Sequence, residues 1–340
     1  GLVLTLALPT SSAFPESDLL ILTSDFATGS TAHLPAGSVT AEINLLAIHA
    51  DAVGTFQAGR IYVINRLGQD NVLVLDPADI ATPIGQFSTG NGSNPHDIEI
   101  LSEGKAYVTR HNSVELMIVD PRDGAEIGTV DLSDFADTDG LPEMSQIVRL
   151  GDFVYVACQR LDRANGFAPF DARLAVIDPV TDTLVGSIVL SATNPNSLFA
   201  VGEDRLVVSG SAGFGDRAGG IDIVAVDNAG SGASTGFALG EDILGGDISL
   251  LALRTATAGF AVVLDESFAN TVVPVDLASG QVGPPLEGLS GGFIPSLVVD
   301  GDRLLVADQG SFSDPASAGL KVFDAVTGVL EIGPIDTGLP

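Results

Sequence analysis

Basic residues are scarce in this sequence. Fourteen lysines and arginines stand against 44 acidic residues, for a formal charge of −30, and only Lys105 and Lys321 are lysines. So acidic a chain repels a phosphate backbone, and its scattered arginines form no local basic patch, which excludes nucleic acid as a partner. Cysteine is nearly absent as well. Cys158 stands alone, so no intrachain disulfide forms, and the apolar run Phe153–Cys158 makes it a buried, inert thiol. No long hydrophobic run is present; Gly1–Leu8 is too short to cross a bilayer. Nor is there a CxxCH haem attachment, an HExxH pair or a lipobox cysteine. The local signatures of several enzyme classes and of a lipid anchor are therefore missing.

What is abundant points elsewhere. Apolar residues make up 45%, enough for a sizeable core, and 40 glycines with 18 prolines imply many turns between short strands. At 340 residues an all-β chain can be one domain. The charge favours solubility, although turn aspartates account for much of it. The opening stretch GLVLTLALPTSSAFPESD reads differently. Its apolar run, Pro9 and the small residues Thr10–Ala13 match the tail of a secretory leader and its cleavage site. Residues 1–17 are thus expected to be a leader, the protein to be exported, and residues 18–340 to form the single domain. A buried strand is the other reading of the same apolar run.

A repeat organises the rest. An apolar strand ending in Asp and a turn residue recurs with its aspartate at Asp76, Asp120, Asp178, Asp227, Asp276 and Asp324, at spacings of 44, 58, 49, 49 and 48. Upstream of each lies a second apolar strand, Arg60–Asn65, Lys105–Thr109, Phe153–Ala157, Arg205–Ser209, Gly259–Leu264 or Arg303–Asp308. These runs are nearly continuous, as strands covered on both faces must be. A period near 48 holding four short strands is the signature of a β-propeller blade. The repeat aspartates are structural, placed to accept turn N–H groups. Six sets start near Val53, Ile98, Gln146, Ser197, Ser249 and Leu297, and Asp18–Thr23, Thr31–Leu34 and Ala41–Leu46 supply three strands of one more. That first blade lacks an inner strand, and Ile335–Pro340 stops where one would begin; because closure between the termini removes unpaired edges, the closing strand is expected to be truncated or missing. The expectation is an all-β, monomeric propeller of seven four-stranded blades, closed between its terminal strands. An eight-bladed or open arrangement is the alternative.

The run Lys105-Ala106-Tyr107-Val108-Thr109, its sister Arg60–Asn65 and the following Val119-Asp120-Pro121 with Gly124 resemble the YVTN repeat of bacterial and archaeal propellers. Over residues 18–340 the chain looks like an exported YncE-like or surface-layer-type protein. Blades five to seven keep only the apolar outline of the motif. The resemblance implies the fold, and a periplasmic, cell-surface or extracellular place. Relatives include binding proteins, surface proteins and propellers that carry cofactors for oxidoreductases. No active-site residue carries over, because the motif is itself structural.

In a propeller the loops joining blades, and those joining second and third strands, gather on one face around the channel, where ligands collect. The first loop set holds His49-Ala50-Asp51, Pro95-His96-Asp97, Pro142-Glu143-Met144, Asn194-Pro195-Asn196, Gly246-Asp247 and Pro295-Ser296. The second opens with Asn65-Arg66, Arg110-His111, Gln159-Arg160, Asp265-Glu266 and Asp308-Gln309. Arg66, Arg110 and Arg160 are candidates for an anion or carboxylate site with His96, Asp97, Glu143, Asn196 and Asp247 beside them, since guanidinium binds such groups bidentately. Pairing of those arginines with Asp51, Asp97 or Glu143 is the competing expectation. His49, Asp51, His96 and His111 are the residue types of a transition-metal site. The loop Asp131–Gly140 has a calcium-like composition but fails the EF-hand pattern at Phe135 and Gln146. The insertions 161–171, 211–219 and 310–318 are expected to expose Phe167, Phe170, Phe214 and Phe312 to a protein or small-molecule partner. A binding or scaffold protein fits best. A lactonase-like metal hydrolase or a cofactor-assisted oxidoreductase using the same face is the rival.

Overall fold

A computed structural model of the chain describes residues 4–8, 17–311 and 313–338. Seven four-stranded antiparallel sheets hold nearly all of the regular structure, each with its strands in chain order. These are the blades of a β-propeller. Inner strands of blades two to seven begin at Val53, Pro95, Met144, Pro195, Asp247 and Ser296. Helix is limited to Glu241–Leu244 and three single 3-10 turns among the described residues.

The first blade departs from expectation. Its inner strand is Leu4–Leu8, paired antiparallel with Asp18–Ser24 from Leu4 opposite Leu22 to Leu8 opposite Asp18. This strand lies within the segment expected to be a leader. The C-terminal strand Leu330–Ile335 is the outer strand of blade seven, paired with Gly319–Asp324. Pro9–Ala13, where a cleavage site is expected, lies outside the described residues.

Second strands are buried along their length, Ile61–Ile64, Ala106–Thr109 and Val154–Cys158 among them, because neighbouring blades cover both faces. Outer strands have water on one side, and Val185 and Val189 of Thr183–Val189 are about half exposed. The chain divides into two compact units, residues 1–65, 73–85 and 250–340, and residues 66–72 and 86–249. In both, the core lies in the seams between blades. In the first unit Leu20 and Leu22 pack with Ile61, Val63 and Leu75, while Leu19 and Ile21 meet Leu305, Ala307 and Val322. Phe260 and Val262 meet Leu304, Val306 and Phe323. In the second unit Tyr107 and Ile118 pack with Val154, Val156 and Ile177, and Tyr155 and Leu174 with Leu206, Val208 and Val224. Each such aliphatic side chain contributes about 2 kcal/mol by burial.

The repeat residues have identical local jobs in successive blades. All six turn aspartates accept backbone N–H bonds two residues on, for example Asp178 from Val180 at 2.8 Å and Asp324 from Val326 at 2.9 Å. These bonds hold the carboxyl of Asp120 down to about 2, together with Arg122, and lower those of Asp178, Asp276 and Asp324. The repeat tyrosines reach the outer turn of the next blade. Tyr107 donates its hydroxyl to Asp182, and Tyr155 to the Gly230 carbonyl at 3.4 Å. Lys105 donates to the Pro179 carbonyl at 2.7 Å and pairs with the same Asp182. Cys158 is fully buried, with its thiol pushed up to about 12 by burial, and is inert as expected.

Candidate functional site

Within the second unit, the loops entering and leaving the inner strands of blades three to five bring polar groups together. His96, at the start of Pro95–Ser102, stacks on His111 just beyond Lys105–Arg110, with ring centroids 4.6 Å apart and planes at 19°. Arg163 Nη2 lies 3.1 Å from His111 Nδ1, and a guanidinium only donates, so Nδ1 accepts. The proton is then on Nε2, which donates to Gln159 Oε1 at 3.1 Å. Gln159 Nε2 donates in turn to Asn194 Oδ1 and to the Pro195 carbonyl, both at 2.9 Å. Both imidazoles are neutral. Burial holds His96 down to about 2, helped by the charge of Arg66 and by His111, and holds His111 down to about 4, helped by Arg163. His111 uses both ring nitrogens. His96 is half-buried and has no hydrogen-bond partner for its ring among the described residues.

Asp97, next along the strand, reaches across to the neighbouring inner strand. One carboxylate oxygen accepts from Ile147 N of the next inner strand at 3.1 Å, the other from Ile98 N at 2.8 Å. Thr109 closes the same seam, accepting from Asp97 N at 2.8 Å and donating to the Ser145 carbonyl at 2.6 Å. Burial pushes the Asp97 carboxyl up to about 7, against those N–H bonds, and raises neighbouring Glu99 to about 7 with Asp97 adding to the effect. Asn196 does a related job two blades on, donating to the Ile248 carbonyl at 3.2 Å and accepting from Ser209 at 2.7 Å.

The three arginines do not gather into one anion site. Arg110 is spent on backbone, donating to the Glu115 carbonyl at 3.0 and 3.1 Å and to the Thr89 carbonyl at 3.4 Å. Arg160 donates to the Phe135 carbonyl at 3.0 Å, is paired with Asp171, and lies 5.8 Å from the Phe170 ring centroid. Arg66, itself engaged, lies near enough for its charge to act on His96. Asp247 accepts from Gly215 N at 2.8 Å and faces Arg217 at 3.5 Å, which ties down the 211–219 insertion. Thus Arg110 and Arg160 are paired, with partners other than Asp51, Asp97 and Glu143.

Metal ligands also fall differently from expectation. Among the described residues, the group of His, Cys, Asp or Glu close enough to share an ion is Asp137, Asp139 and Glu143, with ligand oxygens all within 4.8 Å. It draws two members from the calcium-like loop. His49, Asp51, His96 and His111 form no such group; His49 Nδ1 accepts from Asp51 N at 3.1 Å in a local turn. Arg163 already stands at the carboxylates, with Nε 3.2 Å from Glu143 Oε1 and 3.5 Å from Asp139 Oδ2. Glu143 is fully buried, also accepts from Leu161 N at 3.1 Å, and sits at φ 48°, a strained backbone for a non-glycine residue. Burial raises its carboxyl to about 7, with Asp139 and Asp137 adding to the rise. The cluster could hold a cation such as calcium, but its charge is already offset by Arg163.

Sequence reasoning missed Arg163, which sits in the 161–171 insertion and carries no repeat signal. Phe167, Phe170 and Phe214 are exposed as expected, and Phe312 lies outside the described residues.

These blades and their loop face define the class: a seven-bladed β-propeller. Comparison with known proteins adds the fold and nothing finer. No protein-family model and no curated protein matches the chain. Among solved structures it is similar to hydrazine synthase of Kuenenia stuttgartiensis, at 12% identity and TM-score 0.63 over 99% of this chain and 96% of that one. The propeller domain of Cps50 (Swd1) from Myceliophteria thermophila is similar at 13% identity and TM-score 0.62, covering 85% and 90%. Virginiamycin B lyase from Staphylococcus aureus is similar at 11% identity and TM-score 0.59, covering 90% and 95%. Identities this low show a shared architecture only.

Proposed function

We propose that the protein is a non-catalytic binding propeller that holds a small anion, of carboxylate or phosphate type, against the His96–His111 stack. The observation that carries this reading is His96: a neutral, half-buried imidazole with no hydrogen-bond partner, beside the charge of Arg66, where most other polar groups are committed. Its N–H can donate to an anion and Arg66 supplies the charge. A single imidazole with no acid or base in hydrogen-bond reach builds no proton relay, which favours binding over hydrolysis. Virginiamycin B lyase shares the fold, but at 11% identity it brings no chemistry to this chain. The YVTN-like repeat supports membership among exported, YncE-like bacterial or archaeal propellers, and the character of residues 1–17 supports export. A partner protein carrying acidic groups would use the same face.

Nitrogen-15 NMR of labelled histidine tests the site. Citrate and inorganic phosphate, titrated separately at pH 6, are expected to shift the His96 ring resonances saturably at millimolar concentration. Arg66→Gln weakens that binding about tenfold, the loss of one charge-assisted contact. Binding weakens from pH 6 to pH 8 as Asp97 and Glu99, both raised to about 7, acquire charge. Unmoved His96 resonances at 20 mM of either ligand would overturn the proposal.

A further inference from the structure

A second binding site lies in the first unit, where loops of blades one, six and seven enclose a cavity of about 710 Å³. Its rim carries Phe26, Phe268 and Phe293, which are 71%, 68% and 45% exposed. Phe26 and Phe268 sit at φ 67° and 61°, a conformation costly for a bulky residue. Two rings are thus displayed toward water at a cost in backbone strain. The floor is thin: a Cβ on Gly292 would lie 1.8 Å from the Gly310 carbonyl oxygen, so only glycine lets the two loops touch. Asn270 and Gln309 also line the cavity. Asn270 is 4% exposed. The Gln309 Nε2 group is buried with no hydrogen-bond partner among the described residues.

An unpartnered amide nitrogen in a buried setting, as at Gln309, is destabilising unless something completes it. Their chemistry identifies the complement. An amide pairs best with a group that both accepts and donates, and neither Asn270 nor Gln309 carries charge. The lysine of this region, Lys321, is fully engaged with Asp308 and the Gly288 carbonyl, each at 2.8 Å, so no cation faces the cavity to hold an anion. We infer that this cavity binds an uncharged small molecule that joins an aromatic ring to a carboxamide. The ring lies among the three phenylalanines, and the amide completes Asn270 and Gln309.

The test uses N-acetyl-L-phenylalaninamide as probe, with phenylacetate and phenethylammonium as its anionic and cationic counterparts, followed by NMR of the intact chain. The neutral amide is expected to bind with a Kd of about 1 mM, at least fivefold more tightly than either counterpart. Asn270→Leu and Gln309→Leu should each weaken it at least fivefold, while the melting temperature of the Gln309 variant stays level or rises because a partnerless buried amide nitrogen has gone. A lowered melting temperature in that variant would assign the amide to the fold and overturn the site. So would equal binding of all three probes, or probe affinity unchanged in both variants.

Discussion

One residue that follows a second strand separates the two units. In the second unit Arg110, His111, Gln159 and Arg160 are all engaged, by backbone carbonyls, by carboxylates or by one another. In the first unit Gln309, at the corresponding place in blade seven, keeps a buried Nε2 with no partner, beside Asn270 and exposed phenylalanines. Charged residues are thus a poor guide to a site by themselves. A chain with few basic residues uses many of them to neutralise the carboxylates and carbonyls that loops and seams leave behind. A ligand site is better marked where polar groups are left incomplete next to exposed apolar surface. By that criterion the second unit offers His96 and the first offers the amide-lined cavity.

The largest expected effect tests whether the engaged groups of the second unit are structural. Arg163→Gln removes the guanidinium from fully buried Glu143 and from Asp139. Breaking a buried pair from one side costs about 3 kcal/mol or more, read from urea unfolding at pH 7. Millimolar calcium should restore part of this loss in the variant, because three ligand oxygens within 4.8 Å are then uncompensated. A variant as stable as the parent would dissolve the contrast between the two units.

How much of this was legible beforehand depends on whether a residue's role repeats. The strand order, the seven blades and the turn aspartates follow from periodicity, because each blade meets the same physical demand: two buried faces and a capped turn. Tyr107 and Asp182 do not announce their bond, since it spans 75 residues and depends on how one blade leans on the next. The expected metal set failed because residue type says nothing of direction. His96 and Asp97 are adjacent in sequence, yet at a bulge in the strand pairing one stacks on His111 and the other accepts from Ile147 N of the next inner strand. The apolar run Leu4–Leu8 satisfies a leader and an inner strand equally well, so composition alone does not choose between them.

A middle-sized effect comes from pH. Asp97, Glu99 and Glu143 have folded-state values raised to about 7 from ordinary carboxylate values. A raised carboxyl binds its proton more tightly in the folded state than in the unfolded one. Its ionisation therefore lowers stability as pH climbs from about 4 through about 7. Asp97→Asn removes one of the three. Its stability should fall less than the parent's between pH 5 and pH 8, by about 1–2 kcal/mol, allowing for the half-buried position of the group. The depressed turn aspartates act in the opposite sense and only below about pH 4. Parallel pH curves for parent and variant would show that Asp97 ionises normally at the seam.

The smallest effect sharpens the comparison inside the second unit. Tyr107 and Tyr155 occupy the same repeat position and cross the same kind of seam. Tyr107 meets a carboxylate that also holds Lys105, whereas Tyr155 meets a neutral carbonyl at 3.4 Å, near the limit for a hydrogen bond. Tyr107→Phe is expected to cost about 1.5 kcal/mol and Tyr155→Phe less than about 0.5 kcal/mol. Both keep the ring and hence the apolar packing, so chemical denaturation of the two variants isolates the hydroxyl. Equal losses would mean that the repeat tyrosine serves the blade through its ring alone. Unequal ones would show that later blades can replace it with Val207 or Leu305 where no charged partner waits across the seam.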